Sequence, residues 1–227
     1  ASIALGADAP RSPLLYLDLG GGRTRMGGSA LAQIMGQMGD ISPDMGDATS
    51  VKNCFGAVQR LLAKGLLTAG HDRSDGGLLT TLLEMAFAGN CGLDIALSGT
   101  ASVFDTLFAE ELGLVLECRT EAMAEVEAIL GEAGVPFTRI GTSTVDKRVR
   151  IAYNGESVLN EQMVVLRGWW EETSYQLERL QINPACEGTP SDTLSPGTPA
   201  NLAAGAVGPN RIDISWSGST DTGGSGL

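Results

Sequence analysis

Ala69-Gly70-His71-Asp72-Arg73-Ser74-Asp75-Gly76-Gly77 runs directly into Leu78-Leu79-Thr80-Thr81-Leu82-Leu83-Glu84-Met85-Ala86-Phe87-Ala88-Gly89. A charged, glycine-containing segment here meets the start of an apolar helix. At a helix start, backbone N–H groups lack intrahelical partners and the macrodipole favours an anion. Asp72 and Asp75 repel phosphate, so an acidic group beside a phosphate site implies a divalent metal between them. Mg²⁺ is commonly held by one or two carboxylates plus phosphate oxygens. The residues therefore admit a nucleotide–Mg²⁺ contact. The commoner arrangement for such residues is a plain helix start, capped by Ser74 or Asp75, with Gly76 and Gly77 as a turn, and by themselves the residues favour it.

Working outward, residues 13–19 are apolar and alternating, and Gly20-Gly21-Gly22 follows as a turn, which predicts a strand. Residues 30–38 read as a helix. Residues 47–67 carry Val51, Phe55, Val58, Leu61 and Leu62 at helical spacing, with Gly65 near the end. Residues 93–96 predict a short strand, 103–108 a helix and 112–118 a core strand. An amphipathic helix over 121–133 is stopped by Gly134 and Pro136. Strands at 137–142 and 149–153 follow, the second leading through an Asn154-Gly155 turn into 157–159. A last helix covers 164–181 and ends before Pro184. This mix predicts an α/β domain with a layered mixed sheet covered by helices.

The chain has 227 residues, a net charge of −12 and a sequence pI near 4.4. Length of this order is ample for a buried core. The acidity excludes nucleic-acid binding through a general basic field and disfavours anionic membranes. A local phosphate site stays open, because helix N-termini and metals act independently of net charge. No apolar run approaches the roughly 20 residues of a membrane span. The opening Ala-Ser-Ile-Ala-Leu-Gly-Ala-Asp-Ala-Pro lacks the basic and apolar regions of a signal peptide. Cys54, Cys91, Cys118 and Cys186 show no C-x-x-C spacing, and His71 is the only histidine. Neither a disulfide framework nor a zinc site is expected, and reduced thiols in the cytoplasm are the simpler account.

Several blocks, taken in order, resemble the second synthetase half of the large single-chain phosphoribosylformylglycinamidine synthases. They are Leu14-Leu15-Tyr16-Leu17-Asp18-Leu19-Gly20, Gly27-Gly28-Ser29-Ala30-Leu31-Ala32-Gln33, His71-Asp72-Arg73-Ser74-Asp75-Gly76-Gly77-Leu78, Phe108-Ala109-Glu110-Glu111-Leu112-Gly113 and Leu166-Arg167-Gly168-Trp169-Trp170-Glu171-Glu172-Thr173. The match covers roughly residues 12–187, and dispersed blocks in order are more specific than any one motif. The resemblance implies the C-terminal subdomain of a module like aminoimidazole ribonucleotide synthetase. Such modules pair it with an N-terminal subdomain that this sequence does not contain.

What the resemblance implies for the site is specific. Asp72 falls on a Mg²⁺ ligand of an auxiliary ATP/ADP site, and Ser74 on a phosphate contact. Gly76 and Gly77 would let the backbone approach the nucleotide closely. Gly28 and Ser29 form a second possible anion cradle, or simply a glycine turn with Ser29 as helix cap. His71 is expected to be structural. Arg73 steadies phosphate or pairs with Asp75, the surface pair being the ordinary outcome. Glu110 and Glu111 fall where catalytic halves carry a Glu-Ser-Gln type loop; the missing Ser and Gln imply an auxiliary role. Trp169, Trp170 and Tyr175 are expected in core or interdomain packing.

From about residue 188 the composition shifts to Gly, Pro, Ser, Thr and Ala. Pro196-Gly197-Thr198-Pro199-Ala200-Asn201-Leu202 and Ile212-Asp213-Ile214-Ser215-Trp216 resemble the first strands of a fibronectin type III domain. About 100 residues make such a sandwich, so the segment cannot complete one. A tail of β or irregular type is expected instead. The expected organisation is a synthetase C-terminal-like domain over 1–187 and this tail over 188–227, where a linker to the family's glutaminase domain would otherwise continue. The chain is thus expected to be a part of a cytoplasmic purine-biosynthesis ligase, inactive alone, whose partners are a nucleotide, an N-terminal synthetase subdomain and a glutaminase domain. A non-enzymatic interaction module derived from this domain is the alternative.

Overall fold

A computed structural model describes residues 12–39 and 41–180, together with the backbone of 200–208 and 211–217. It divides into two compact units, Ala1–Arg167 and Gly168–Leu227. The first holds a seven-stranded mixed sheet in the order β2-β4-β1-β5-β3-β6-β7. Its strands are β1 (Pro13–Asp18), β2 (Leu67–Asp72), β3 (Gly92–Leu97), β4 (Gly113–Cys118), β5 (Phe137–Thr144), β6 (Arg148–Tyr153) and β7 (Glu156–Gln162). All neighbours pair antiparallel except β3 and β6. Helices α1 (Ala30–Ile34), α2 (Ala48–Ala63), α3 (Gly77–Gly89), α4 (Val103–Phe108) and α5 (Met123–Glu132) connect them, and α6 (Met163–Arg179) follows β7. The α/β layered architecture expected from sequence is the one observed.

Strand alternation sorts the core into two layers. From β1, Leu14 joins a cluster with Leu78, Leu82 and Met85 of α3, while Leu15 and Leu17 join Leu61 of α2 and Val126 and Leu130 of α5. Successive side chains of a strand point to opposite faces, so one apolar strand serves both layers. Each fully buried Leu or Met contributes roughly 1.5–3 kcal/mol relative to exposure. Cys54, Cys91 and Cys118 are free and buried in these layers. Burial pushes the Cys91 thiol up to about 12 and the Cys118 thiol to about 11, so neither is a ready nucleophile. Cys186 lies outside the described residues.

Several elements differ from the sequence expectation. The helix expected over 30–38 stops at Ile34, because Gly36 and Gly39 adopt positive φ. The helix expected over 47–67 is α2, capped by Asp47, whose side chain accepts from Thr49 and Ser50 N–H. It ends at Ala63 and turns through Gly65 (φ +63°) into the unexpected strand β2. Its core face carries Cys54, Ala57 and Leu61, whereas Phe55 and Leu62 are exposed. Cys54, Ala57 and Leu61 join the layer that holds Leu15, Leu17, Leu116, Val126 and Leu130. A 3₁₀ turn, Thr120–Ala122, precedes α5.

The second unit contains the later turns of α6 and two antiparallel strands, β8 (Ala200–Gly208) and β9 (Arg211–Ser217). Trp169 and Trp170 are exposed in α6, at 69% and 52%. The expectation that they pack in a core is therefore corrected. The expected domain boundary near 188 and the start of the tail, 196–199, lie outside the described residues. Among the described residues no helix is long and apolar enough to cross a membrane.

Candidate functional site

At the end of β2 the alternation of the strand continues for two residues into the turn. Asp72 and Ser74 are exposed, and Arg73 between them is 7% exposed. The Arg73 N–H donates to the Gly113 carbonyl at 2.8 Å, which keeps this segment on the sheet edge. Arg73 forms no pair with Asp75 and points into the domain, which corrects the surface ion pair expected from sequence. Its Nη1 donates to the Tyr16 hydroxyl at 2.5 Å and its Nη2 to the Thr106 carbonyl at 3.3 Å.

The turn into α3 depends on its two glycines. Both have positive φ, +80° at Gly76 and +69° at Gly77. A Cβ on Gly77 would lie 2.6 Å from the Leu107 carbonyl oxygen and 2.7 Å from the Phe108 carbonyl carbon, so backbone approach excludes any other residue. Gly77 N–H donates to the Ser74 carbonyl at 2.9 Å. Gly76 takes the cap position, where neither Ser74 nor Asp75 supplies a capping side chain. Its N–H donates instead to Glu110 Oε1 at 2.8 Å.

The same Glu110 oxygen accepts the Ala30 N–H at 2.8 Å. One carboxylate thus joins the starts of α1 and α3, bringing together two segments that the sequence offered as separate anion cradles. Ser29 is fully buried and caps α1, its Oγ accepting from Ala32 N–H at 3.2 Å. Gly28 is exposed, with φ +74°, and donates its N–H to the Met38 carbonyl at 2.7 Å. The backbone donors of Gly28, Gly76 and Gly77 are thereby occupied within the domain. Asp72 and Ser74 are the two expected contacts whose side chains face outward.

His71 holds Asp72 in place. Its Nδ1 lies 3.1 Å from Asp72 Oδ1 and its Nε2 2.9 Å from Glu84 Oε2 on α3. The imidazole is thereby fixed between strand and helix, and one carboxylate oxygen of Asp72 is oriented while the other stays open. Thr81 adds a bond from its hydroxyl to the Asp72 carbonyl at 3.0 Å. Its contacts are those of a structural histidine that bridges strand and helix through two carboxylates.

Glu111, next to the bridging Glu110, is fully buried and grips Arg25 through Nε and Nη2, both at 2.7 Å. It also accepts the Arg25 N–H at 2.9 Å. Burial pushes the Glu111 carboxyl up, but the hydrogen bonds and charge of Arg25 outweigh it, and the group ends below its ordinary value. Arg25 is held charged by Glu111 first and Asp44 second.

Residues 16–154 match the family described as AIR synthase related protein, C-terminal domain. The chain belongs to this family. It is also 47% identical over 174 residues to a protein of Arabidopsis thaliana named probable phosphoribosylformylglycinamidine synthase, chloroplastic/mitochondrial. That match covers 76% of this chain and 12% of the relative, so the chain spans about an eighth of the relative's length. Among solved structures, it resembles T. maritima PurL complexed with ATP, at 15% identity and a TM-score of 0.56, over 72% of this chain and 27% of the other. T. maritima PurL complexed with FGAR gives a TM-score of 0.57 at 15% identity, over 72% of this chain and 29% of the other. These structural likenesses establish the fold.

For this AIR synthase related domain, the donor chemistry around Asp72 limits what metal it can hold. Among the described residues no three His, Cys, Asp or Glu side chains converge as a metal site. Asp72 offers a hard carboxylate oxygen, suited to Mg²⁺ as one ligand of several. It fits a metal shared with a phosphate chain and water, not a closed protein cage. Glu110 and buried Arg73 were the features that the sequence did not disclose. Glu110 is 80 residues from Ala30 and 34 from Gly76, so no local pattern reports its double acceptance.

Proposed function

We propose that this chain is the C-terminal subdomain of the second synthetase-like half of a phosphoribosylformylglycinamidine synthase, and that it supplies one wall of an auxiliary Mg-nucleotide site. The observation that carries this reading is the β2–α3 junction, where Asp72 and Ser74 face outward together and His71 orients the carboxylate. Asp72 would bind Mg²⁺ between itself and the phosphates of ATP or ADP, and Ser74 would donate its hydroxyl to a phosphate oxygen. Gly76 and Gly77 would shape the backbone beneath the nucleotide, with Gly28 and Ser29 beside them through the Glu110 bridge. The metal, when bound, supplies charge neutralisation for the phosphate chain.

In the parent reaction, ATP activates the amide oxygen of formylglycinamide ribonucleotide and ammonia from glutamine displaces the phosphate to give the amidine. That chemistry would need the N-terminal synthetase subdomain and the glutaminase domain as partners, so the chain by itself would be inactive. A cytoplasmic setting fits its buried free thiols. The carrying experiment is calorimetric titration of Mg-ADP into the chain, its Asp72→Asn variant and its Ser74→Ala variant. Saturable binding by the parent chain, weakened about tenfold or more in Asp72→Asn and less in Ser74→Ala, supports the site. Absence of binding by the parent chain at millimolar Mg-ADP removes it.

A further inference from the structure

A cavity of about 390 Å³ opens on the inner side of the β2 end, walled by Tyr16 and Asp18 of β1, by Arg73, and by the 98–101 loop after β3. Its charged lining consists of Arg23, Arg73, Arg139 and Asp18, three cations to one anion in a chain of net charge −12. Two of these charges are already engaged. Asp18 accepts the N–H groups of Gly20 and Gly22 at 2.8 and 2.6 Å, and Arg139 grips Glu127.

Arg73 is different. It is more than nine-tenths buried, and among the described residues it makes no ion pair. Its hydrogen bonds run to neutral oxygens of Tyr16 and Thr106, and its Nε has no partner at all. The guanidinium stays protonated in proteins, so this is a buried positive charge with no ion-pair partner, set over the Tyr16 ring at 5.7 Å and sharing its cavity with one carboxylate, Asp18, an arrangement that a further anion would stabilise. Donors for such an anion are present. The Tyr16 hydroxyl accepts from Arg73, which leaves its own proton free to donate. Thr24, Ser98 and Thr100, each with a hydroxyl that can donate, line the same space.

We propose that this cavity binds a phosphate group, with buried Arg73 as the counter-charge and the hydroxyls of Tyr16, Thr24, Ser98 and Thr100 as the surrounding donors. A tetrahedral oxyanion suits donors that come from several walls, whereas a planar carboxylate suits one parallel fork. The space exceeds a bare phosphate, so the group is either the free anion or the phosphate end of a small monoester. The inference stands apart from the nucleotide reading, because Asp72 and Ser74 lie on the exposed side of the same segment.

The test is the thermal stability of the chain against added inorganic phosphate and glycerol 3-phosphate, with chloride at matched ionic strength as reference. The expected result is a saturable rise in Tm with phosphate that is absent in Arg73→Met and needs several-fold more ligand in Tyr16→Phe. Tighter saturation by glycerol 3-phosphate assigns the site to a monoester, and tighter saturation by inorganic phosphate to the free anion. No rise beyond chloride, or an equal rise in Arg73→Met, overturns the proposal. Should Arg73→Met not fold, the Arg73 Nε–Hε resonance of the parent chain decides. A saturable shift with phosphate supports the site, and an unmoved resonance overturns it.

Discussion

Arg25 and Arg73 both carry a guanidinium into the same domain, and they end in opposite electrostatic situations. Arg25 meets Glu111 in a two-point grip and adds Asp44 at 3.0 Å. Arg73 meets a phenol, a carbonyl and the rim of a cavity. The first is a clamp that fastens the segment after β1 to the start of β4, with every charge answered inside the domain. The second is a charge held ready. The difference separates structure from function more cleanly than burial does, since a buried ion that is answered needs no ligand and one that is unanswered does.

The largest effect that can break this comparison is expected at the clamp. Arg25→Met leaves Glu111 as a buried, unpaired carboxylate, and should lower stability by about 3–5 kcal/mol in urea unfolding. A loss below about 1 kcal/mol would remove the distinction between the two arginines. Glu110→Ala is next, because it strips the shared acceptor from two backbone donors and should cost about 2 kcal/mol. Hydrogen exchange should quicken at the Ala30 and Gly76 amides and not across the strand ladders. Arg73→Met should leave stability within about 1 kcal/mol of the parent chain, or raise it, since it deletes an unanswered charge.

The smallest effect is a pH dependence. Glu111 has a folded value below its ordinary 4.5, so its contribution is present above that value and is lost as pH falls through the folded one. The stability advantage of the parent chain over Glu111→Gln should therefore hold from neutral pH down to about 5 and shrink below about 4. An advantage that stays constant down to pH 2.5 would show that Arg25 does not depend on the ionised carboxylate.

Much of this domain was legible where local chemistry decides it. Helix α4, expected over 103–108, is capped by Ser102, whose hydroxyl accepts the Asp105 N–H, and the Asn154-Gly155 turn takes the positive φ its residues favour. Strand β2 was not legible. It is an edge strand built on Ala69 and Gly70, held by β4 alone, and its small residues imitate the end of the preceding helix. The face of α2 was misread for a related reason. Phe55 and Leu62 suggested a core stripe, but the buried face carries the smaller Cys54 and Ala57 with Leu61.

At the site, the outward placement of Asp72 and Ser74 follows from strand alternation once β2 is known. The inward course of Arg73 follows from the same alternation and contradicts the ordinary preference of arginine for the surface. Ser29 was legible as a cap, because a serine ahead of a short apolar helix has that role wherever it occurs. The joining of the α1 and α3 starts was not, since it rests on one long-range carboxylate.

The most direct measurement is a crossed titration of the parent chain, Asp72→Asn and Arg73→Met, each with Mg-ADP and with inorganic phosphate. The account holds that consecutive residues at one strand end face two separate ligands. It predicts that Asp72→Asn loses the Mg-ADP response and keeps the phosphate response, while Arg73→Met does the reverse. Loss of both responses in either variant would contradict it, and would reduce the two sites to one.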